Sequence, residues 1–423
     1  MKRLFFLSFF FLSITTYCQD YITGKVVSET GGSLPKASVF ISNSTNGVYT
    51  NEKGEFTLNR LPSGTFSFTV SYVGYEVINI SVPTSSRSKS YLIKMQPLDN
   101  ELQAVIVRKY DRKGWKKWGD IFTTAFVGTS VYSSNCTITN KDDIRFVYSE
   151  DINQLKAYAD KPLLIINKDL GYELEVNLVD FSCDVKSKVV DYQTFCFFKE
   201  MKGSDAETAV WKKNRLKVYA LSLLRFMRSL YLKNFDNEGY QIKLVERKAN
   251  TEKQRIKTLY QKAFDRISDS LKNIKSRATD INSLVEQSFR KDSLKYYKLV
   301  FNQDDETEKI SKTPARFDDI AKEEDSVTVL LHCKDYMQVV YTRNKEPQEY
   351  TDYKSEKIQV SGTANFFTSS SSRDKPVTEL NLQQGVPVEI HENGSFTNVD
   401  LYLNGFWGWW EKMATKLPYE YEP

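Results

Sequence analysis

The chain has 423 residues, 40% of them hydrophobic and 27% charged, with a formal net charge of +5. That length suits two or three domains, and the mixture excludes global disorder. The basic excess is too small and too dispersed for a nucleic-acid-binding protein, which needs a concentrated basic face.

Lys2 and Arg3, the apolar run Leu4 to Ile14, and Thr16-Tyr17-Cys18 have the layout of a secretory signal peptide over residues 1–18, with cleavage before Gln19. The run is too short to span a membrane comfortably. A lipoprotein reading would place the lipid on Cys18, but Tyr17 stands where such signals want a small residue. No later segment reads as a span: Tyr219 to Leu232 is short and contains Arg225 and Arg228. The charged, helical later half does not suit a large membrane β-barrel. The expectation is an exported protein with no transmembrane span in the mature chain.

Beyond Cys18, the cysteines are Cys136, Cys183, Cys196 and Cys333. Cys183 and Cys196 flank a predicted strand connection, so they are the candidate disulfide; four buried free thiols are the alternative. No C-x-x-C pair is present to suggest a zinc or thioredoxin-type site.

From residue 20 to 97 the pattern is of short strands and turns. Tyr21–Ser28, Ala37–Asn43, Gly47–Thr50 and Glu55–Leu58 come first, with a turn at Asn51-Glu52-Lys53-Gly54. In Thr65–Tyr72, Phe66, Phe68, Val70 and Tyr72 alternate with Thr65, Ser67, Thr69 and Ser71, predicting one buried and one wet face. Ile78, Ile80 and Val82 repeat the alternation, as do Tyr91, Ile93 and Met95. About seven short strands without a helix signal indicate an all-β sandwich.

Five motifs in order resemble the carboxypeptidase-regulatory-like domain family. They are Gly24-Lys25-Val26, Leu34 to Val39, Thr50 to Phe56, Leu61 to Phe66, and Ser71 to Tyr75. Asn51 stands where the family commonly has Asp, and still supports the turn. The resemblance implies a transthyretin-like (prealbumin-like) sandwich, and it does not imply peptidase activity. The same module precedes the plug of TonB-dependent outer-membrane receptors, and Leu98 to Val107 is similar to the joining segment there. Gly114-Trp115-Lys116-Lys117-Trp118 does not continue as a plug. The likeness implies a periplasmic or outer-membrane-associated protein of a Gram-negative cell envelope.

After a linker over 98–114, residues 115–423 read as a larger α+β region with antiparallel strands and amphipathic helices. Trp115, Trp118, Ile121, Phe122 and Phe126 suit a short amphipathic helix. Strands follow at Ile144–Tyr148, Leu163–Asn167, Tyr172–Phe181 and Val189–Phe198, the last two antiparallel. The helical part covers about 204–300. Ser204 with Glu207 has capping-box spacing, and Trp211, Arg215, Tyr219, Ser222 and Phe226 share a helical face. From Thr251 to Arg277, Ile256, Leu259, Tyr260, Ala263, Ile267, Leu271 and Ile274 form one stripe; a second helix covers Ile281 to Tyr297. This pair either packs on the sheet, the commoner outcome, or projects as an arm that contacts a partner. Residues 302–325 read as a polar linker. Strands resume at Val327–Leu331, Gln338–Tyr341, Lys357–Phe367, Val386–Ile390 and Val399–Leu403, the last two joined through Asn393-Gly394. Ser369–Ser372 reads as a flexible run. Leu170-Gly171-Tyr172, Trp211 with Arg215 and Tyr219, and the Trp-rich ending are loosely similar to bodies that accompany this module in exported bacterial proteins, a likeness that implies no activity.

Catalytic chemistry finds little support. The two histidines, His332 and His391, sit in no zinc-protease pattern, and no nucleophile elbow, P-loop or dinucleotide fingerprint is present. The acidic runs Asp304-Asp305-Glu306 and Glu323-Glu324-Asp325 read as solvated loops. No cofactor, catalytic residue or metal ligand is predicted. The candidate ligand or partner surface is Phe406, Trp407, Trp409 and Trp410, whose rings can stack on sugars or anchor a protein interface, unless they close a core. The expectation is a non-catalytic envelope protein acting as a structural or protein-interaction module, with a membrane-associated protein partner. The alternative is a glycan- or peptide-binding protein, and a hydrolase with an unrecognised site is the third reading.

Overall fold

A computed structural model describes residues 21–83, 89–98, 113–271, 280–333, 336–361, 374–382, 386–396 and 401–423. The signal segment, nearly all of the 98–114 linker, Ile274 and the serine run lie outside these residues.

The first domain is the expected β-sandwich. One sheet has the order β4-β1-β7, from β1 (Tyr21–Ser28), β4 (Glu55–Asn59) and β7 (Ser90–Met95). The other has the order β3-β2-β5-β6, from β2 (Ser38–Ile41), β3 (Gly47–Tyr49), β5 (Phe66–Ser71) and β6 (Ile78–Val82). Alternating side chains fill the space between them: Phe66, Phe68 and Val70 of β5 meet Ile22, Val26, Leu58 and Ile93. The turn into β4 is held by Asn51, whose Oδ1 accepts from the backbone N–H of Lys53 and Glu55, each at 2.9 Å, so Asn does the work of the usual Asp.

The outer face of β5 departs from expectation. Thr69 and Ser71, predicted wet, are 0% and 6% exposed. Alternation selects which residues share a face, and tertiary packing decides whether that face meets water. Here the body covers it.

The body, from residue 113 onward, is α+β around one continuous core. Helix α1 (Gly114–Phe126) lays Phe122 and Phe126 against Phe181. They pack on a six-stranded antiparallel sheet of β8 (Cys136–Ile138), β9 (Ile144–Ser149), β10 (Gln154–Ala159), β11 (Leu163–Asn167), β12 (Tyr172–Asp184) and β13 (Val190–Glu200). Helix α2 (Asp205–Leu221) opens on the expected Ser204/Glu207 capping box. The apolar face then breaks at Ser222, whose extended backbone (ψ 153°) ends α2 and whose Oγ caps α3 (Leu223–Tyr231). One helix thus becomes two.

A second body sheet has the order β15-β14-β18-β19-β21, from β14 (Tyr240–Ala249), β15 (Glu306–Ile310), β18 (Tyr336–Tyr341), β19 (Val377–Leu382) and β21 (Leu401–Gly405). A small third sheet joins β16 (Ala321–Glu323), β17 (Val329–Leu331) and β20 (Val388–Ile390). The predicted linker over 302–325 is therefore structured, holding β15, the single turn α7 (Phe317–Ile320) and β16. β20 and β21 enter different sheets, and Asn393-Gly394 lies in a tight turn that brings Phe396 back antiparallel to Ile390 of β20. The strand predicted over Lys357–Phe367 begins inside a helix, α8 (Gln348–Ser361), which starts after Pro347. Tyr350 and Tyr353, at i and i+3, set that helix against Trp409.

Candidate interaction surface

The predicted aromatic surface is a core instead. Phe406, Trp407, Trp409 and Trp410 are 1%, 4%, 6% and 3% exposed, on the short helix α9 (Phe406–Trp410). Trp407 packs on Phe226 and donates its indole N–H to the carbonyl of Leu221 at 3.0 Å. Trp409 donates to Thr129 at 2.8 Å. Four aromatics on one short helix close the body core, because each buries a large area.

The candidate disulfide is also corrected. Cys183 lies opposite Val190 and Cys196 opposite Val176, so the two are about six residues apart along the β12–β13 ladder. At ~3.3 Å per residue that is roughly 20 Å, far beyond the ~7 Å limit for a bridge. All four described cysteines are buried free thiols. Burial pushes the Cys136 thiol up to about 12 and raises those of Cys183 and Cys196, which keeps them unreactive.

Trp211, Arg215 and the Gly171 segment do come together, as an anchor. Trp211 lies over Gly171 and donates to Lys168 O at 2.8 Å. Arg215 donates to Leu170 O at 2.7 Å, pairs with Glu200 at 2.8 Å and stacks over Tyr172 at 3.8 Å. These contacts pin α2 to the β11–β12 turn.

The module is docked on the body rather than tethered beside it. Phe40 stacks on Phe197 at 5.2 Å. Asn43 N–H donates to Cys196 O at 2.8 Å and Phe198 N–H to Ser44 O at 2.9 Å, extending β13 by a short bridge. Ser71 Oγ donates to Asn177 at 2.6 Å in a buried contact, and Tyr49 donates to Glu175 at 2.8 Å. The C-terminal tail fastens the seam: Tyr419 N–H donates to Asn43 O at 2.9 Å, and Arg228 donates to Tyr419 O at 2.9 Å. A cleft of about 480 Å³ runs along this seam, with Ser67, Asn79 and Ser81 on the module side and Phe195, Phe396 and Tyr402 on the body side.

The most exposed feature is the helical pair. β14 and β15 form an antiparallel ladder whose last register pair is Ala249 with Glu306. Between these two residues the chain runs out through α4 (Thr251–Leu271) and returns through α5 (Ile281–Gln287) and α6 (Lys291–Phe301). The predicted single return helix is thus two, broken where Arg290 is extended (ψ 144°). Ile256, Ala263, Val285 and Val300 are buried, yet they join neither the module core nor the body core. Tyr260, Phe289, Tyr297 and Phe301 make a ring cluster of their own. The pair is therefore a projecting arm, and packing on the sheet is not what occurs. Its base is tied by Lys257 to Asp305 at 2.7 Å and by Asn250 N–H to Asp305 O at 2.7 Å, which absorbs part of the first acidic run. On its surface Leu299, Tyr296 and Phe264 are 61%, 47% and 37% exposed. The sequence placed the helices and left a projecting arm as the rarer of two outcomes without singling out its exposed side chains; the crowding of twelve Lys and Arg into 251–301 was the available signal.

Among the described residues no His, Cys, Asp and Glu side chains cluster so as to hold a metal ion, and no helix is long and apolar enough to cross a membrane. Residues 22–107 match the CarboxypepD_reg-like domain family, so the N-terminal domain is a carboxypeptidase-regulatory-like module. No curated protein matches the chain. Among solved structures, one described as the Bacillus anthracis TIE protein is similar at 16% identity and a TM-score of 0.15, over 44% of this chain and 32% of that one. A likeness at that level carries no argument about the body.

Proposed function

We propose that this is a non-catalytic interaction protein of the cell envelope, exported by its N-terminal signal, in which the module and body form a rigid base for the 251–301 arm. The observation that carries this reading is the arm itself. It stands outside both cores, on a ladder that a two-residue turn could close, and it exposes large apolar side chains. A fold has no stability reason to keep such an excursion, so a contact outside the chain is its use. The partner is a membrane-associated component of the envelope.

The test is cross-linking in intact cells with the tagged protein and with a variant whose residues 250–305 are replaced by Asn-Gly. A component recovered with the full protein and lost from the variant is the expected result. Equal recovery with both, or neither a protein nor membrane lipid recovered with the full protein, rejects the reading.

A second reading, a glycan- or peptide-binding protein, no longer rests on the tryptophans. The seam cleft supports it, because Tyr402 is 45% exposed there beside hydroxyl and amide side chains, the mixture that holds sugar rings. Glycan-array binding that Tyr402→Ala abolishes would favour it; an empty array would remove it.

A further inference from the structure

We infer that the arm's partner is a lipid surface rich in anionic headgroups, a step that rests on the arm being the contact element. Residues 251–301 contain twelve Lys and Arg against six Asp and Glu, a net +6, in a chain whose total is +5. The rest of the sequence is thus nearly neutral, and the positive charge is concentrated in the segment that builds the arm. An anionic occupant follows from charge complementarity.

The residue types separate a lipid surface from a protein. Eight of the twelve cations are Lys and four are Arg. Centres of protein interfaces are depleted in Lys and favour Arg, which is pre-organised for planar pairing. Lys on a helix beside exposed aromatic and aliphatic residues suits a fluid headgroup layer, where the apolar tips enter the acyl boundary and the long ammonium stems stay at the surface.

The arm has such a face. Lys291, Lys295 and Leu299 follow at i, i+4 and i+8 along α6, all exposed, with Tyr296 beside them. Tyr296 donates to Glu252 at 3.0 Å, and Arg255 pairs with the same carboxylate at 2.6 Å, so α4 shares this face. The binding is peripheral and reversible, because a few cations with one or two apolar side chains give adsorption only.

The experiment is sedimentation of the purified protein with vesicles of phosphatidylcholine alone or with about one-third phosphatidylglycerol. Binding is expected only with phosphatidylglycerol, and is expected to vanish near 0.5 M salt, where screening acts over roughly 4 Å. Lys291→Gln with Lys295→Gln is expected to weaken it about 25-fold, roughly 5-fold per cation. Both positions are exposed, and an unchanged thermal melt confirms that the variant is folded. Leu299→Ser is expected to weaken binding further while leaving its salt dependence unchanged. No preference for phosphatidylglycerol, or equal binding by the double variant, overturns the inference. If vesicles are ignored while cross-linking still finds an arm-dependent protein, the lipid assignment falls and the interaction reading stands. If neither is found, both fall.

Discussion

His391 shows how one buried side chain can make the module's seat sensitive to acid. It is 1% exposed, its Nδ1 lies 3.4 Å from Val327 O, and Gly64 of the module packs directly on its ring. Burial lowers its pKa below the ordinary value near 6.5, with Val327 O, Glu389 and Asp325 opposing. The unfolded chain therefore binds the extra proton more readily, so the stability from neutral His391 is whole above about pH 6.5 and falls as pH drops below it. His391→Gln should flatten the denaturant midpoint between pH 7 and 5; a midpoint that still falls as steeply would assign the acid sensitivity elsewhere. Gly171 makes a second residue-scale case. Its φ of +66° is left-handed, and an added Cβ would meet Trp211 at 2.2 Å. Gly171→Ala should cost about 2 kcal/mol or more through strain and overpacking, read as a loss of denaturant midpoint. Residues such as these were visible in the sequence, Gly171 and Trp211 as part of one recurring pattern, but nothing local says which glycine lies under which ring.

At the scale of elements the arm is the instructive piece. Its stripe of apolar residues was legible, because helical periodicity needs only the order of side chains. Whether that stripe would face the sheet or its own return helices was not, since both bury the same residues. With a core separate from the body's, the arm should open as an independent unit. Ile256→Ala should remove amide-exchange protection throughout α4–α6 while leaving β12 and β13 unchanged. Loss spreading into those strands would mean the arm supports the body after all. Excising 250–305 should likewise leave the body's melting point within a few degrees, because Ala249 and Glu306 are already a register pair. The supposed linker was misread for a related reason: β15 is exposed at all five positions, so no hydrophobic pattern announces it, and it exists only because β14 supplies the ladder.

Across the whole molecule, the seam between module and body should make unfolding a single event. All six tryptophans lie in the body, at 115, 118, 211, 407, 409 and 410, so their fluorescence reports the body alone, whereas far-ultraviolet dichroism reports both parts. The two signals should coincide in the native protein. Phe197 is 5% exposed and stacks on Phe40, so Phe197→Ala removes about 3 kcal/mol from the seam and should pull the two transitions apart. Coincident transitions in that variant would show that the tail contacts at Asn43 and Tyr419 suffice to couple the halves.

By itself the sequence determined the export signal as an expectation, the sandwich of the module, the alternating strands of the body and the capped start of α2. Each of these depends on side-chain order over a few residues, which is all that periodicity, capping and turn chemistry require. Only the tertiary structure decided that Thr69 and Ser71 are covered, that Phe406 to Trp410 close a core, that Cys183 and Cys196 stand about six rungs apart, and that the charged helices project. Those outcomes turn on which surfaces meet across hundreds of residues, and a face that is apolar, polar or basic looks the same in sequence whether it is covered by the chain itself, by water or by a partner.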